Sequence, residues 1–360
     1  MKTEGAKTLD RWGAILAFTA VAVILQVLFG GVRPVDGSAL AALARDGFHA
    51  QIPPFSQYLF DSPLEIIFLH GLGLSSPVGL TLVFALLSVL PFLAALLADD
   101  RETARTTFLL AAVLPLTRIS LGWLGTGDPV LFACVIALVV SSRAAVVVVI
   151  SAVLVFWHFQ QGVILLVLLG GMILVSGDGR QRTKLTPLAL GLVLGILLYG
   201  AAKLWLLPPY QGRAGFLLQH LDRFALRMTF YWPAALAIGL PGMLALWLAK
   251  GFRGIHWSAY GCFAVALVLG AVTSDVSRVF FALSFPAVLY GLLCYRPVPL
   301  SELRRVNFLV PVLILSAVVP LLGWSGVEIY DWKGLAGAMT KYWGASNWLK
   351  LFLELAGAFT

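Results

Sequence analysis

Apolar windows of about twenty residues, separated by short turns that hold most of the charge, recur along the whole chain and restrict its fold more than any motif does. Inside a bilayer every backbone amide must be satisfied within the chain, which makes helices the natural spanning element. About eleven such windows can be drawn, roughly at 12–32, 77–98, 106–124, 129–142, 144–158, 162–176, 186–207, 233–249, 257–273, 279–295 and 307–325. The sequence therefore predicts an all-α polytopic membrane protein, a single integral membrane domain over residues 1–360 with no polar linker and no internal repeat. Only 12% of its residues are charged, where a water-soluble domain carries roughly 25%. The windows between 129 and 176 are short for a bilayer, so their helices tilt little, thin the membrane or are partly buried among neighbours.

Lys and Arg set the orientation. With the N-terminus in the cytoplasm, the inner segments hold Lys2, Lys7, Arg11, Arg101, Arg105, Arg143, Arg180, Arg182, Lys184, Lys250, Arg253, Arg296, Arg304 and Arg305. That is about 14 cations on short loops against about nine on longer outer segments, as the positive-inside rule requires of a plasma (inner) membrane protein. The formal charge of +8 is then a topology signal and asks for no nucleic acid partner. Lys2, Lys7 and Arg11 ahead of an apolar run resemble a signal peptide, but the run is too long for one and lacks an A-x-A exit, so it reads as a retained first span. Cys134, Cys262 and Cys294 fall in or beside apolar helices without CxxC spacing and read as structural thiols.

In this orientation the polar residues gather on the outer face. The first outer loop, 33–76, holds Asp36, Asp46, His49, Asp61, Glu65 and His70; the turn after the third span holds Asp128; the next outer turn holds His158, Gln160 and Gln161. Further along come Lys203, Tyr210, Arg213, His220, Asp222, Arg223 and Arg227, then Asp275 and Arg278. Asp128 sits between Gly127 and Pro129 where two helices meet, and an acid at the membrane edge is expensive enough to be a functional candidate. In the long loop, Asp36-Gly37-Ser38 suits the cap of a short helix over 39–44, the segment 52–58 reads as extended chain, and Leu64–Leu74 suits an interfacial helix. The tail 326–360 mixes Trp332, Tyr342, Trp343 and Trp348 with Lys333, Lys341 and Lys350, a pattern for a helix at the outer headgroup level.

Three short strings carry a resemblance. They are Pro34-Val35-Asp36-Gly37 after the first span, Tyr58-Leu59-Phe60-Asp61-Ser62-Pro63 before the second, and Gly125-Thr126-Gly127-Asp128-Pro129-Val130-Leu131 opening the fourth. With the topology of the first half of the chain, they make it resemble the GT-C class of polytopic glycosyltransferases, near the protein mannosyltransferases and lipid A aminoarabinose transferases. The resemblance implies an acid of the first outer loop acting at the acceptor and a D-x-x-L-like turn supporting it. Asp36 and the run Asp128–Leu131 occupy those places. It also implies a polyprenyl-phosphate sugar as donor, a glycan, lipid or protein as acceptor, membrane lipids around the chain, and a role in cell-envelope polysaccharide or glycolipid synthesis.

The chemistry of that transfer needs a base for the acceptor hydroxyl and cations for the departing phosphate. Asp36 is the candidate base and Asp128 its partner; Arg227, Arg278 and Lys203 are the nearest phosphate partners. Asp61, His158, Gln160 and Asp275 complete the expected substrate-binding set. A divalent metal at His158, Asp36, Asp61 and Asp128 is compatible with these residue types, though no HExxH-like spacing enforces one.

Each residue also has a plain structural reading. Asp36 and Asp128 have N-cap chemistry, Asp61 before Ser62-Pro63 suits turn initiation, and Asp275 and Arg278 are spaced for a local ion pair. A neutral imidazole at a membrane interface, such as His158, is commonly a hydrogen-bonded structural residue, and Arg118 inside the third span would snorkel outward or reach Asp128. Walker A, GxSxG and dinucleotide fingerprints are absent from the sequence, and the inner loops are too short for a nucleotide-sugar domain. A transporter or flippase of a lipid-linked or anionic solute, a polysaccharide polymerase or ligase using the basic loop 208–232, and a non-catalytic membrane subunit remain as alternatives.

Overall fold

The computed structural model describes residues 8–30, 38–73, 75–122, 126–176, 179–210, 221–271 and 276–319, with two isolated positions at 215 and 218; over 221–235 it describes the backbone alone. The described chain is helical throughout, and its one β-type contact is an isolated bridge between Thr8 and Arg305. In chain order the helices are α1 (Trp12–Gly30), α2 (Ser38–Asp46), α3 (Pro63–Leu72), α4 (Pro77–Leu87), α5 (Leu90–Ala95), α6 (Arg101–Val113), α7 (Leu116–Gly122), α8 (Asp128–Val140), α9 (Ala144–Trp157), α10 (Phe159–Ser176), α11 (Gly179–Arg182), α12 (Leu185–Trp205), α13 (Leu221–Lys250), α14 (Trp257–Ala271), α15 (Val276–Leu293), α16 (Leu300–Leu303) and α17 (Val306–Val318). A helix overlies each of the apolar windows. Among the described residues, α1, α10 and α12 are long and apolar enough to cross a membrane alone, and α6 with α7 makes a fourth if that pair, bent by 51°, is one broken span.

The short helices owe their length to burial. Helix α8 has 13 residues, about 20 Å at 1.5 Å per residue, and all but Ala133 are buried. It packs on α5, α9 and α15 and forms the centre of the bundle. Phe132 meets Phe281 and Phe285 of α15 edge-on, with centroids 5.7 and 5.5 Å apart. Its last carbonyls, which no helical amide can reach, accept from Lys184 Nζ at Leu138 (3.1 Å) and Val139 (2.7 Å). The most extensive helix contact is α9 against α12, where Gly191 and Gly195 lie on Ser151 and Val155 so closely that a Cβ would meet them at 2.4 and 2.6 Å. This is small-xxx-small packing, which lets two backbones approach.

At the end of the bundle that holds the N-terminus of α1, cations tie the helix ends together. Arg304 is buried and pairs with Asp10 (2.9 Å) and with Glu102. Lys250 donates to the carbonyls of Tyr295 and Arg296. Asp99 accepts from the Ser142 amide at 3.0 Å.

Two expectations need correction. The segment 52–58 is not extended throughout: Pro53 is (φ −56°, ψ 147°), as a residue before proline must be, and Pro54 then opens a 3-10 helix, Pro54–Asp61. Arg118 neither snorkels nor reaches Asp128. It is buried in α7 and donates from Nη1 to the Ser316 and Ala317 carbonyls at the end of α17, at 3.0 and 2.7 Å. Gln26 of α1 stitches the α6–α7 break, donating to Ala112 (2.6 Å) and Leu114 (3.3 Å) and accepting the Arg118 amide. Leu64–Leu74 holds α3, half of it buried against α2 and α9. Helix α2 begins at Ser38; Asp36 and Gly37, the expected cap, and the tail 326–360 lie outside the described residues.

Candidate functional site

The turn from α9 to α10, Trp157-His158-Phe159-Gln160, joins two buried carboxylates. On one side is Asp128, the first residue of α8, 2% exposed. Its Oδ2 accepts from Thr126 Oγ1 at 2.9 Å and from Arg278 Nη1 of α15 at 3.3 Å, and Arg278 is itself 6% exposed. The cap position belongs to Gly127, which offers no side chain, so Asp128 is not the N-cap but the first residue of α8, and its carboxylate reaches another helix. Arg278 pairs across the bundle, on a residue 150 positions earlier; Asp275, the local partner its spacing allows, lies outside the described residues. Pairing and the hydroxyl together offset the desolvation of two charges, which an isolated buried ion would not survive.

Gly127 is required by Trp157. A Cβ there would lie 2.2 Å from the indole Nε1, so the Thr126–Asp128 turn is pressed against the end of α9. The Trp157 side chain is buried, its Nε1 has no hydrogen-bond partner among the described residues, and its ring meets Phe68 of α3 at 5.8 Å. His158 is buried next to it.

On the other side of the turn is Asp61, also 2% exposed, at the end of the 3-10 helix. Its carboxylate accepts from three side chains: Tyr210 Oη (2.7 Å) and Tyr199 Oη (3.0 Å) at Oδ1, and Gln160 Nε2 (3.3 Å) at Oδ2. That convergence gives the Asp61 carboxylate partners beyond its own turn. Tyr199 and Tyr210 share a further hydrogen bond of 3.0 Å, Phe159 stacks on Tyr199 at 3.9 Å, and Phe60 lies against Tyr210 at 5.4 Å. Burial pushes the Tyr210 phenol above its ordinary range, and the bond from Tyr199 and the neighbouring Asp61 charge push it the same way, so it remains a donor. Lys203, exposed in the last turn of α12, places its ammonium 6.0 Å from the Tyr210 ring centroid. Tyr199 and Lys203 are four apart and share a helix face.

Of the residues expected at the site, Asp61, Asp128, His158, Gln160 and Arg278 are thus brought to one end of the bundle, with Lys203 at its rim. Asp36 and Asp275 lie outside the described residues, as does the side chain of Arg227. Among the described residues no three His, Cys, Asp or Glu side chains come together to hold a metal ion; Asp36, the fourth member of the set whose types allowed one, lies outside the described residues. Sequence reasoning missed Tyr199, Thr126 and Trp157. The i, i+4 spacing of Tyr199 and Lys203 at the end of an apolar window was the available signal, since a buried tyrosine in a membrane helix needs a partner for its hydroxyl. No protein-family model, no curated protein and no solved structure matches this chain.

Proposed function

We propose that this chain is a GT-C-type glycosyltransferase of about eleven spans, its N-terminus cytoplasmic, which transfers a sugar from a polyprenyl-phosphate donor to an acceptor on the extracytoplasmic face. The observation that supports it is the gathering of two buried carboxylates, Asp61 and Asp128, around the α9–α10 turn, at the end of the bundle away from the Lys- and Arg-tied helix ends. In the reaction a base takes the acceptor O–H proton, the oxygen bonds to the anomeric carbon, and the sugar–phosphate bond breaks with its electron pair leaving on polyprenyl phosphate. Asp36 is the proposed base. Asp128 orients the acceptor or its surroundings from the start of α8, and Asp61, held by Tyr199, Tyr210 and Gln160, forms a fixed acceptor for sugar hydroxyls. Because Arg278 is already paired with Asp128, Lys203 at the rim is the better described candidate for the departing phosphate, and Arg227 on the chain's next helix is the other proposed partner.

A solute carrier is the second reading, favoured by the α6–α7 break with the buried Arg118 beside it, since broken helices and intramembrane charge suit transport. Purified protein incubated with radiolabelled polyprenyl-phosphate sugars separates the two. Labelled product, lost in Asp36→Asn while the variant keeps the wild-type elution profile, is expected. Full transfer by Asp36→Asn removes the proposed base, and uptake of an unchanged solute into vesicles without transfer establishes the carrier.

A further inference from the structure

We propose that the end of the bundle opposite Asp61 and Asp128 carries a binding site for the headgroup of an anionic phospholipid, formed by the loop after α13 and the segment after α15. This goes beyond any transferase chemistry and does not depend on it. The loop turns at Gly251 (φ +65°) into a single 3-10 turn, Phe252–Gly254, that carries Arg253 outward between two exposed aromatics, Phe252 (67% exposed) and Trp257 (66%). Trp247, Phe252 and Tyr260 continue the aromatic surface, with centroids 6.2 and 5.5 Å apart. Aromatic side chains with a polar handle settle at the headgroup level, so this loop marks the membrane–water boundary.

The cations come from both segments. Lys250 Nζ donates to the Tyr295 and Arg296 carbonyls and so pins the second segment to the first. The exposed Arg296 holds its guanidinium 5.5 Å from the Tyr295 ring centroid. It is the one non-glycine residue among those described with a positive φ, 41°, a conformation that L side chains avoid and that only a well-held neighbourhood maintains. Lys250, His256, Ser258 and Tyr295 form the polar side of a narrow pocket, with Met172 and Leu246 on its apolar side. Neither 247–261 nor 294–301 contains an acid. Two exposed guanidinium groups, on segments that Lys250 holds together, with no acid at 247–261 or 294–301 and rings for acyl chains alongside, match a phosphate that is attached to a lipid.

The full-length chain, purified in detergent and offered an equal mixture of phosphatidylglycerol and phosphatidylcholine, tests this by native mass spectrometry. The wild type is expected to retain phosphatidylglycerol preferentially. A juxtamembrane arginine is worth about fivefold in attraction to anionic lipid, so the preference should fall about fivefold in Arg253→Gln and about 25-fold in the double variant R253Q/R296Q. The R253K/R296K variant, which keeps both charges, should keep most of the preference. Equal retention of the two lipids by the wild type, or a preference unchanged in Arg253→Gln, overturns the proposal. So does displacement of the lipid by inorganic phosphate at the same concentration, which would make this a site for free phosphate.

Discussion

Asp61 and Asp128 are equally buried and their described partners differ: Arg278 and the Thr126 hydroxyl meet Asp128, while two phenols and a glutamine amide meet Asp61. The Asp61 carboxylate depends on donors that must stay protonated, which makes the tyrosines testable. Because the folded-state Tyr210 phenol titrates above its ordinary value of about 10, its contribution to stability is complete below about pH 10 and is lost as the pH climbs through the higher folded-state value. Phenolate absorbance during alkaline titration should therefore leave Tyr210 un-ionised where exposed tyrosines have already titrated. Tyr210→Phe should remove one late-titrating group and leave stability near neutral pH lower by about 1 kcal/mol, the worth of one hydrogen bond. A Tyr210 that titrates with the exposed tyrosines would show that the Asp61 network is open to water. The residue types of this site were readable in the sequence as an outer-face collection of Asp, His, Gln and Arg. The partnerships were not, because Asp61 meets Tyr199 and Tyr210 across 138 and 149 positions, and no local spacing carries such a pairing.

At the scale of elements, hydropathy and proline located the helices, while glycine decided how they meet. Pro129 opens α8 at its first turn, and Pro115 lies at the α6–α7 break, both signals a sequence displays directly. The 3-10 helix Pro54–Asp61 departs from the extended reading because the rule for residues before proline reaches only Ile52 and Pro53 and leaves the residues from Pro54 on unrestricted. Nor does an apolar window reveal which face it turns to a neighbour, since α12 has apolar residues all round. Its glycines do so in the structure. A Cβ at Gly191 would lie 2.5 Å from the Val148 carbonyl oxygen, a backbone atom that cannot move aside, whereas at Gly200 it would meet nothing within 4 Å. Gly191→Leu is therefore expected to force α12 off α9 and to destabilise by 1–3 kcal/mol or more, as overpacking does, at roughly that magnitude. Gly200→Leu on the same helix should be neutral or slightly stabilising through helix propensity. Thermal unfolding in one detergent compares the two; equal melting temperatures would mean that the α9–α12 contact is not the close one described. Displacing α9 would also move the turn that holds Trp157 and Gln160, so Gly191→Leu should disturb both carboxylates at once.

Across the whole molecule the two ends differ in what they do with charge. Arg304, Lys184 and Lys250 at one end are spent on acids and on helix carbonyls, which fixes the bundle from that side. At the other end Asp61 and Asp128 are buried and Lys203 stands at the rim. We propose from the positive-inside asymmetry that the first end faces the cytoplasm, and the proposed transfer chemistry, which needs a donor head presented outside, depends on that orientation. Pro209 and Arg253 are exposed in loops at the two ends, and Cys134 and Cys262 are buried, Cys294 partly so. With the three cysteines replaced by serine, Pro209→Cys should react with a membrane-impermeant maleimide in intact cells. Arg253→Cys should react only after the membrane is opened. The reverse pattern would place Asp61 and Asp128 on the cytoplasmic side, where a lipid-linked donor facing outward could not reach them, and would end the glycosyltransferase reading regardless of how well the side chains suit it. Labelling of both positions in intact cells would instead mean that 209 and 253 lie on the same side, so that α13 does not cross the membrane and the span count loses one crossing.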